Sequence, residues 1–152
     1  TTDADDAVKA VVLIASGRTF MAGADISEFG KPMTEPGLPE VVLMIEGAQR
    51  PWVAAIHGMA LGGGLEVALG CHYRIVDRKA KLGLPEVHLG LIPGAGGTVR
   101  LPRVVPVSRA VEMVATGKPV GAKEAKACGL ADAESGGDLR EDAVEFARGI
   151  FQ

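Results

Sequence analysis

The sequence predicts an α/β layer fold, and three observations support this prediction. Short apolar runs rich in Val and Ile, typical of buried strands, alternate with helical patterns in the first half of the chain. The second half is predicted to be helical. Glycine makes up 21 of the 152 residues and is concentrated at 58–64, 83–97 and 117–121, between the apolar segments. Because glycine permits tight turns and close backbone approach, these clusters indicate compact turns and not a linker.

The first half of the chain is predicted to alternate strands, loops and helices. Strands are predicted at 8–14, 52–56, 72–76 and 80–84. Helices are predicted at 40–49, at 65–69 and, opened by the glycines at 94–97, through 99–101. A loop at 20–29 is expected to run into a short helix, and the proline-rich segment 31–39 is expected to be an irregular, mobile loop. Pro51 ends the helix that precedes the second strand.

The second half is predicted to form three further helices, each with a recognisable boundary. Ser108 is a suitable N-cap for a helix over 108–116 that Gly117 closes, and Gly129 closes a helix over 122–128. The last helix, 138–151, is amphipathic. Its apolar face is formed by Leu139, Ala143, Phe146 and Ile150.

Length and composition limit the classes of function. A chain of 152 residues, 47% of them hydrophobic and 23% charged, is long enough for one domain with its own core. The net charge of −3 and the lack of a long basic run give no support for a nucleic-acid partner. Cys71 and Cys128 fit no metal spacing and indicate free thiols in a reducing compartment. No membrane-spanning stretch or signal peptide is expected.

Two glutamates stand in apolar surroundings next to flexible backbone. Glu66 follows three glycines at 62–64, and Glu86 follows Pro85 in a leucine-rich stretch. A carboxylate is unfavourable among apolar side chains, so two of them in such places suggest an acid–base pair tuned by burial. Each has an ordinary alternative, because Glu66 also suits the first turn of a helix and Glu86 could be a capping or surface residue.

The three glycines at 62–64 leave backbone N–H groups free at a helix N-terminus. Such a place suits an anion, including an oxyanion that develops during a reaction, although tight packing alone could also require glycine. A nucleotide site is poorly supported, because GAGGTV at 94–99 has Val99 where the GxGxxG pattern needs its last glycine. No GxxxxGK[ST] motif occurs.

Other common kinds of site find little support in the sequence. The histidines have no zinc spacing, and His57, at the end of a strand, is assigned a structural role. No serine has the G-x-S-x-G context of a hydrolase. Arg100 and Arg103 could meet a phosphate, but a solvated helix face is the expected setting. Asp25 suits a local cap, and no metal ligand set is predicted.

Four segments, in this order, resemble the enoyl-CoA hydratase/isomerase (crotonase) superfamily over nearly the whole chain. FMAGAD at 20–25 and HGMALGGGLE at 57–66 resemble the two oxyanion segments of that family. GLPE at 83–86, followed by LGLIPGAGGT at 89–98, resembles its second catalytic segment. GCHYRI at 70–75 further resembles the hydratase part of bifunctional hydratase/3-hydroxyacyl-CoA dehydrogenases.

The resemblance implies a role for each matching residue. The backbone N–H groups of Ala24 and Gly63 would form the oxyanion hole for a thioester carbonyl. Glu66 and Glu86 would be the two catalytic glutamates, and the N–H of Gly94 would help to position the water. Family members that only isomerise often keep just the second glutamate, so the presence of both favours hydration.

The resemblance also implies a substrate, a fold and an assembly. Coenzyme A would lie against Ala22, Ala24, Asp25 and Ile26. The expected fold is the crotonase-type ββα spiral, as one domain over 1–152 that is truncated at both ends. The expected activity is addition of water to a 2-enoyl-CoA in fatty-acid β-oxidation, with Δ3,Δ2-enoyl-CoA isomerisation or silent acyl-CoA binding as alternatives.

The remaining expectations concern cofactors, partners and location. No cofactor is expected in this chain, and NAD is expected only for a separate dehydrogenase domain. The chain is expected to pack in a trimer-type homo-oligomer or onto that dehydrogenase domain, without a nucleic acid or a membrane, in the bacterial cytoplasm.

Overall fold

The strands form two β-sheets, and successive turns of the chain add strands to both. The computed structural model describes residues 2–23, 32 and 35–151. The strands are β1 (Val11–Ile14), β2 (Trp52–Ile56), β3 (Met59–Leu61), β4 (Tyr73–Val76), β5 (Lys81–Gly83), β6 (Val120–Gly121) and β7 (Ala133–Glu134). The α-helices are α1 (Leu38–Glu46), α2 (Gly63–Gly70), α3 (Gly97–Val104), α4 (Val107–Thr116), α5 (Ala122–Cys128) and α6 (Leu139–Gly149). Short 3-10 helices cover Thr2–Ala4 and Pro85–Leu89.

The sheet topology is that of a spiral of ββα units. The first sheet has the parallel order β1-β2-β4-β7, and in the second sheet β3 pairs parallel with β5, which pairs antiparallel with β6. Met21, a few residues after β1, forms a parallel bridge to Ala60 of β3. Thus β1 with Met21, β2 with β3, and β4 with β5 are three successive pairs, each contributing to both sheets. The predicted α/β class and spiral are confirmed.

Strand β2 is buried on both faces, as its continuous apolar sequence predicts. Val53 and Ala55 pack with α6, whereas Ala54 and Ile56 belong to the main core on the other face. This division follows from the two-residue period of a strand. The apolar face predicted for α6 is the face that covers the first sheet, where Phe146 also contacts Tyr73 edge-on, with ring centroids 5.6 Å apart.

Helix α2 lies at the centre of the molecule, and small residues let neighbouring chain approach it. All of its residues except Gly63 are buried. A Cβ at Gly64 would stand 2.6 Å from the Cβ of Met21 and would also collide with the Met21 carbonyl oxygen. A Cβ at Gly70 would stand 2.8 Å from a methyl group of Val42 in α1. Glycine is therefore required at Gly64, because both the backbone and the side chain of Met21 occupy that space.

Several predicted boundaries are corrected by the structure. Helix α1 begins at Leu38, inside the predicted irregular loop, because Gly37 is its N-cap and the proline at its start is compatible with a first turn. Ser108 is not the N-cap of α4, which is Pro106, so that prediction is wrong. The strand predicted at 8–14 begins only at Val11, as β1.

The helix ends marked by glycine are confirmed. Gly117 and Gly129 both adopt the left-handed conformation at the C-caps of α4 and α5. Three short strands, β3, β6 and β7, and the 3-10 helix at Pro85–Leu89 were not predicted, because two to five residues carry too little periodic pattern. Residues 24–31, 33 and 34, half of the segment predicted as loop and helix over 20–39, lie outside the described residues. No helix in the described part of the chain is long and apolar enough to cross a membrane.

We expect the substitution Gly64→Ala to lower the free energy of unfolding by about 1–3 kcal/mol, because the new methyl group must displace Met21. Gly149→Ala is the matched control, since Gly149 is also helical and a Cβ there meets nothing within 4 Å. That control should be neutral or stabilising by up to about 1 kcal/mol. Urea denaturation of both variants measures the difference, and equal stabilities would contradict the packing argument.

Candidate functional site

The candidate site is built around the first turn of α2. Gly62, the N-cap, has φ 55° and ψ −126°, a conformation that favours glycine, and its N–H donates to the carbonyl oxygen of Gly83 at 3.0 Å. This bond ties the start of α2 to the end of β5. The first N–H groups of an α-helix, here including that of Gly63, have no intrahelical partner and carry the positive end of the helix dipole. They are available to an anionic oxygen.

Glu66 is fully buried in that first turn, and its carboxylate is held by backbone. Its exposed fraction is 2%. Its Oε1 accepts hydrogen bonds from the N–H groups of Ala95 and Gly97, both at 2.8 Å. A Cβ at Gly97 would stand 3.0 Å from this Oε1, so glycine lets the backbone approach the carboxylate closely. The glycine-rich segment at 94–97 thus serves Glu66.

Glu86 approaches the same turn from a second segment of the chain. It lies in the 3-10 helix Pro85–Leu89, and its Oε1 would stand 3.2 Å from a Cβ on Gly62. Its Oε2 is buried and has no hydrogen-bond partner in the described part of the chain. Burial raises the pKa of Glu86, and the nearby charge of Glu66 raises it further. The structure therefore brings the two predicted glutamates to one place, in contrasting environments.

Met21 and Gly23, which precede the predicted oxyanion residue Ala24, also lie close to the start of α2. The Met21 N–H donates to the Met59 carbonyl oxygen and the Leu61 N–H donates to the Met21 carbonyl oxygen, both at 3.0 Å. The Cα of Gly23 would stand 3.8 Å from a Cβ on Gly62. Ala22 is exposed, whereas Ala24 lies outside the described residues.

Of the other predicted site residues, the structure describes Gly94 but not Asp25 or Ile26. Gly94 is exposed, and a Cβ built on it would meet nothing within 4 Å, so packing alone does not require glycine there. Asp25 and Ile26, predicted to contact coenzyme A, lie outside the described residues, as does the predicted cap formed by Asp25.

Leu38 is a site residue that the sequence did not reveal. It begins α1, and its Cδ2 would stand 2.7 Å from a Cβ on Gly63. An apolar side chain therefore lies against Gly63 at the start of α2. No local pattern marks this residue, because its contact with Gly63 depends on how α1 packs against α2.

Arg100 is a second residue whose setting differs from the prediction. A solvated helix face was expected, but the guanidinium donates to both carboxylate oxygens of Glu46, at 2.9 and 2.7 Å, and to the carbonyl oxygen of Ala95, at 3.2 Å. The side chain of Arg100 is only 12% exposed. The hydrogen bonds with Arg100 lower the pKa of Glu46 and raise that of the arginine. Residues 54 positions apart cannot be paired from a single sequence.

The histidines and cysteines of the described chain take structural positions. Nε2 of His57 lies 3.0 Å from the carbonyl oxygen of Gly17, and Nδ1 of His72 accepts from the N–H of Trp52 at 3.0 Å. Burial raises the pKa of the Cys71 thiol to about 12, so it is a poor nucleophile. Among the described residues, no group of three or more His, Cys, Asp or Glu side chains could hold a metal ion.

Comparison with known proteins identifies the family of this chain. The family described as Enoyl-CoA hydratase/isomerase matches residues 1–152. The chain belongs to the enoyl-CoA hydratase/isomerase family. In the crystal structure of an enoyl-CoA hydratase from Bacillus anthracis, the fold matches with a TM-score of 0.90 and 40% identity over 98% of this chain and 61% of that one.

Two curated relatives show how much of a longer protein the chain matches. It is 49% identical over 143 residues to the peroxisomal bifunctional enzyme of Danio rerio, covering 94% of this chain and 20% of that protein. It is 46% identical over 136 residues to a probable enoyl-CoA hydratase of Bacillus subtilis, covering 84% of this chain and 52% of that protein. The chain therefore spans about a fifth of the bifunctional relative and about half of the bacterial hydratase.

We expect Glu86→Gln to raise the free energy of unfolding at neutral pH. A raised pKa means that folding favours the protonated carboxyl, so this stabilisation is complete below the ordinary value of 4.5 and is lost as the pH rises through the higher pKa of the folded state. Glutamine is neutral throughout and does not lose it. Urea titrations from about pH 4 to pH 8 should show an advantage for the variant that grows with pH. An advantage that shrinks as the pH rises would contradict the burial argument.

Proposed function

We propose that this chain is the hydratase segment of an enzyme that adds water across the 2,3 double bond of a 2-enoyl-CoA thioester, in fatty-acid β-oxidation. The observation that carries the proposal is the contrast between two carboxyl groups at one helix N-terminus. The Oε1 of Glu66 accepts two backbone hydrogen bonds, whereas Glu86 has a buried, unpartnered Oε2 in the described chain and a raised pKa. Such a pair suits a base and an acid acting together.

The roles follow from these environments. Glu66 would take a proton from the attacking water while the water oxygen bonds to C3 of the substrate. Glu86, whose pKa is raised by burial, would hold the proton that C2 receives. After the addition, Glu66 releases its proton to solvent and Glu86 takes one up from solvent, which restores both groups to their starting states. The N–H of Gly94 would help to orient the water before attack.

The charge that develops during this addition is expected on the thioester oxygen. The N–H of Gly63, at the positive end of α2, would donate to that oxygen, together with the N–H of Ala24. Removing one donor of this kind from an enzyme typically raises the barrier by about 3–4 kcal/mol. Leu38, above Gly63, would exclude water from this oxygen and so strengthen the interaction.

The proposal extends to the ligand, the cofactors and the partners. Ala22, Ala24, Asp25 and Ile26 would contact the coenzyme A part of the substrate. This chain would need no cofactor of its own, and NAD would bind only to a separate dehydrogenase domain.

A homo-oligomer of trimer type, or packing onto such a dehydrogenase domain, is supported by exposed apolar side chains. Met44 and Ile92, for example, are 67% and 77% exposed. The expected location is the bacterial cytoplasm, a reducing compartment that suits the free thiols of Cys71 and Cys128.

The substitutions Glu66→Gln and Glu86→Gln should each lower kcat for hydration of crotonyl-CoA by about 10²–10⁴-fold, because each removes one proton-transfer group. KM should change little, since neither group is proposed to bind the ground state. The measurement uses the protein encoded by the complete open reading frame. Turnover that is unchanged in either variant would refute the assignment.

The same variants separate hydration from isomerisation. In a Δ3,Δ2-enoyl-CoA isomerase, Glu86 alone would shuttle the proton, so Glu66→Gln would keep the shift of a 3-enoyl-CoA while wild-type protein showed little hydration. Tight binding of a thioester without any turnover by the wild-type protein would instead indicate an acyl-CoA-binding module. A dinucleotide-binding domain downstream in the open reading frame would support the bifunctional assignment.

We also expect kcat/KM for hydration to fall on the alkaline side as Glu86 loses its proton. Because the pKa of Glu86 is raised, this limb should lie above the ordinary value of 4.5. A pH–rate profile of the free enzyme measures it. An alkaline limb that persists unchanged in the residual activity of Glu86→Gln would assign the titration to another group.

A further inference from the structure

Three consecutive peptide groups form the support of the Glu66 carboxylate, and their outer members are the ones that touch it. The peptide between Gly94 and Ala95 and the peptide between Gly96 and Gly97 each donate an N–H to Oε1 of Glu66. The middle peptide, between Ala95 and Gly96, presents its carbonyl oxygen to Nη1 of Arg100 at 3.2 Å. The middle peptide shares a Cα atom with each of its two neighbours. Its orientation therefore constrains the directions in which their N–H groups point.

Arg100 is itself held in a fixed geometry. Its Nε and Nη2 form a bidentate pair with Glu46 at the end of α1. Gly96 has φ 93°, and a Cβ there would collide with Nη1 of Arg100, so the guanidinium lies directly against the loop. The backbone N–H of Arg100 also donates to the Gly96 carbonyl oxygen at 2.9 Å. The arginine thus connects α1, the loop and α3.

We propose that Arg100 is a positioning residue for the proposed hydration. Its side chain fixes the Ala95–Gly96 peptide, and this peptide aims the Ala95 and Gly97 N–H groups at Oε1 of Glu66. The other carboxylate oxygen is then held at one angle toward the water. Arg100 touches neither substrate nor water in this role, and the inference rests on the proposed function of Glu66 as the base.

The geometry explains why arginine and not lysine stands at this position. Three of its nitrogens are used at once, two on Glu46 and one on the Ala95 carbonyl oxygen. The planar guanidinium presents these donors in a fixed fork, whereas a lysine ammonium is a single point charge on a flexible stem. Lysine could keep the charge pair with Glu46 or the bond to Ala95, but it could not hold both in one plane.

The test compares Arg100→Met with Arg109→Met in the protein encoded by the complete open reading frame. Methionine keeps an apolar stem and removes every donor. Arg109 is the matched control, because it also pairs with two carboxylates, those of Glu112 and Glu124, but lies in α4. We expect Arg100→Met to lower kcat by about 10–100-fold with KM essentially unchanged, since a small misplacement of a reacting group has effects of this size. Arg109→Met should keep the wild-type kcat.

A charge exchange separates positioning from stability. In the double variant Glu46→Arg/Arg100→Glu, the ion pair can re-form, but a carboxylate at position 100 cannot donate to the Ala95 carbonyl oxygen. Stability should therefore recover toward that of the wild type while kcat stays low. Recovery of kcat in this variant would overturn the inference, and so would a kcat of Arg100→Met equal to that of Arg109→Met.

Amide hydrogen exchange tests the same inference without any assay of activity. The N–H groups of Ala95 and Gly97 should exchange faster in Arg100→Met than in the wild type or in Arg109→Met, because the loop is no longer fixed. Unchanged exchange at both amides would refute the role of Arg100. Wild-type protein that cannot hydrate any 2-enoyl-CoA would refute the proposed function, and the exchange rates would still decide whether Arg100 holds the loop.

Discussion

The arrangement of the site depends on burying the carboxylate of Glu66 in the first turn of α2. An ionisable group in such surroundings must be matched by hydrogen bonds, since burial of an unpaired polar group is strongly unfavourable. Two backbone N–H groups from one loop supply them here. This requirement brings the loop against α2 and favours glycine at Gly97, where a Cβ would stand 3.0 Å from Oε1 of Glu66. It also makes the orientation of the loop peptides a condition for the position of the carboxylate.

The features that depend on local sequence pattern could be predicted. The α/β class followed from apolar runs alternating with helices, and the capping positions of Gly117 and Gly129 followed from the left-handed conformation that ends a helix. The burial of Glu66 could be expected from its apolar neighbours. The apolar surroundings of Glu66 and Glu86 suggested an acid–base pair, and the resemblance to a family then gave the pair its site, because 20 positions in sequence say nothing about distance in space.

The site features that the sequence did not reveal depend on contacts between distant segments. The N–H groups of Ala95 and Gly97 are invisible in a list of side chains, although an unusual density of glycine was a signal of close approach. The pairing of Arg100 with Glu46 joins α3 to the end of α1. The error at Ser108 has a local cause, because Pro106 already provides an extended residue before the first turn, and α4 begins without a side-chain cap.

In the proposed hydration, the acid and base roles would be divided between two identical side chains. Both are glutamates beside the same helix N-terminus, so residue type and helix dipole cannot distinguish them. What differs is the set of donors. The loop at 94–97 supplies two N–H groups to Glu66, whereas Oε2 of Glu86 finds none in the described chain and its pKa rises. An unsatisfied buried oxygen is unfavourable for folding, but a proton held on it would be available to the substrate carbon in the proposed reaction. Glycine serves α2 in two ways: at Gly64 and Gly70 it lets Met21 and Val42 pack closely, and at Gly62 it leaves room for the carboxylate of Glu86.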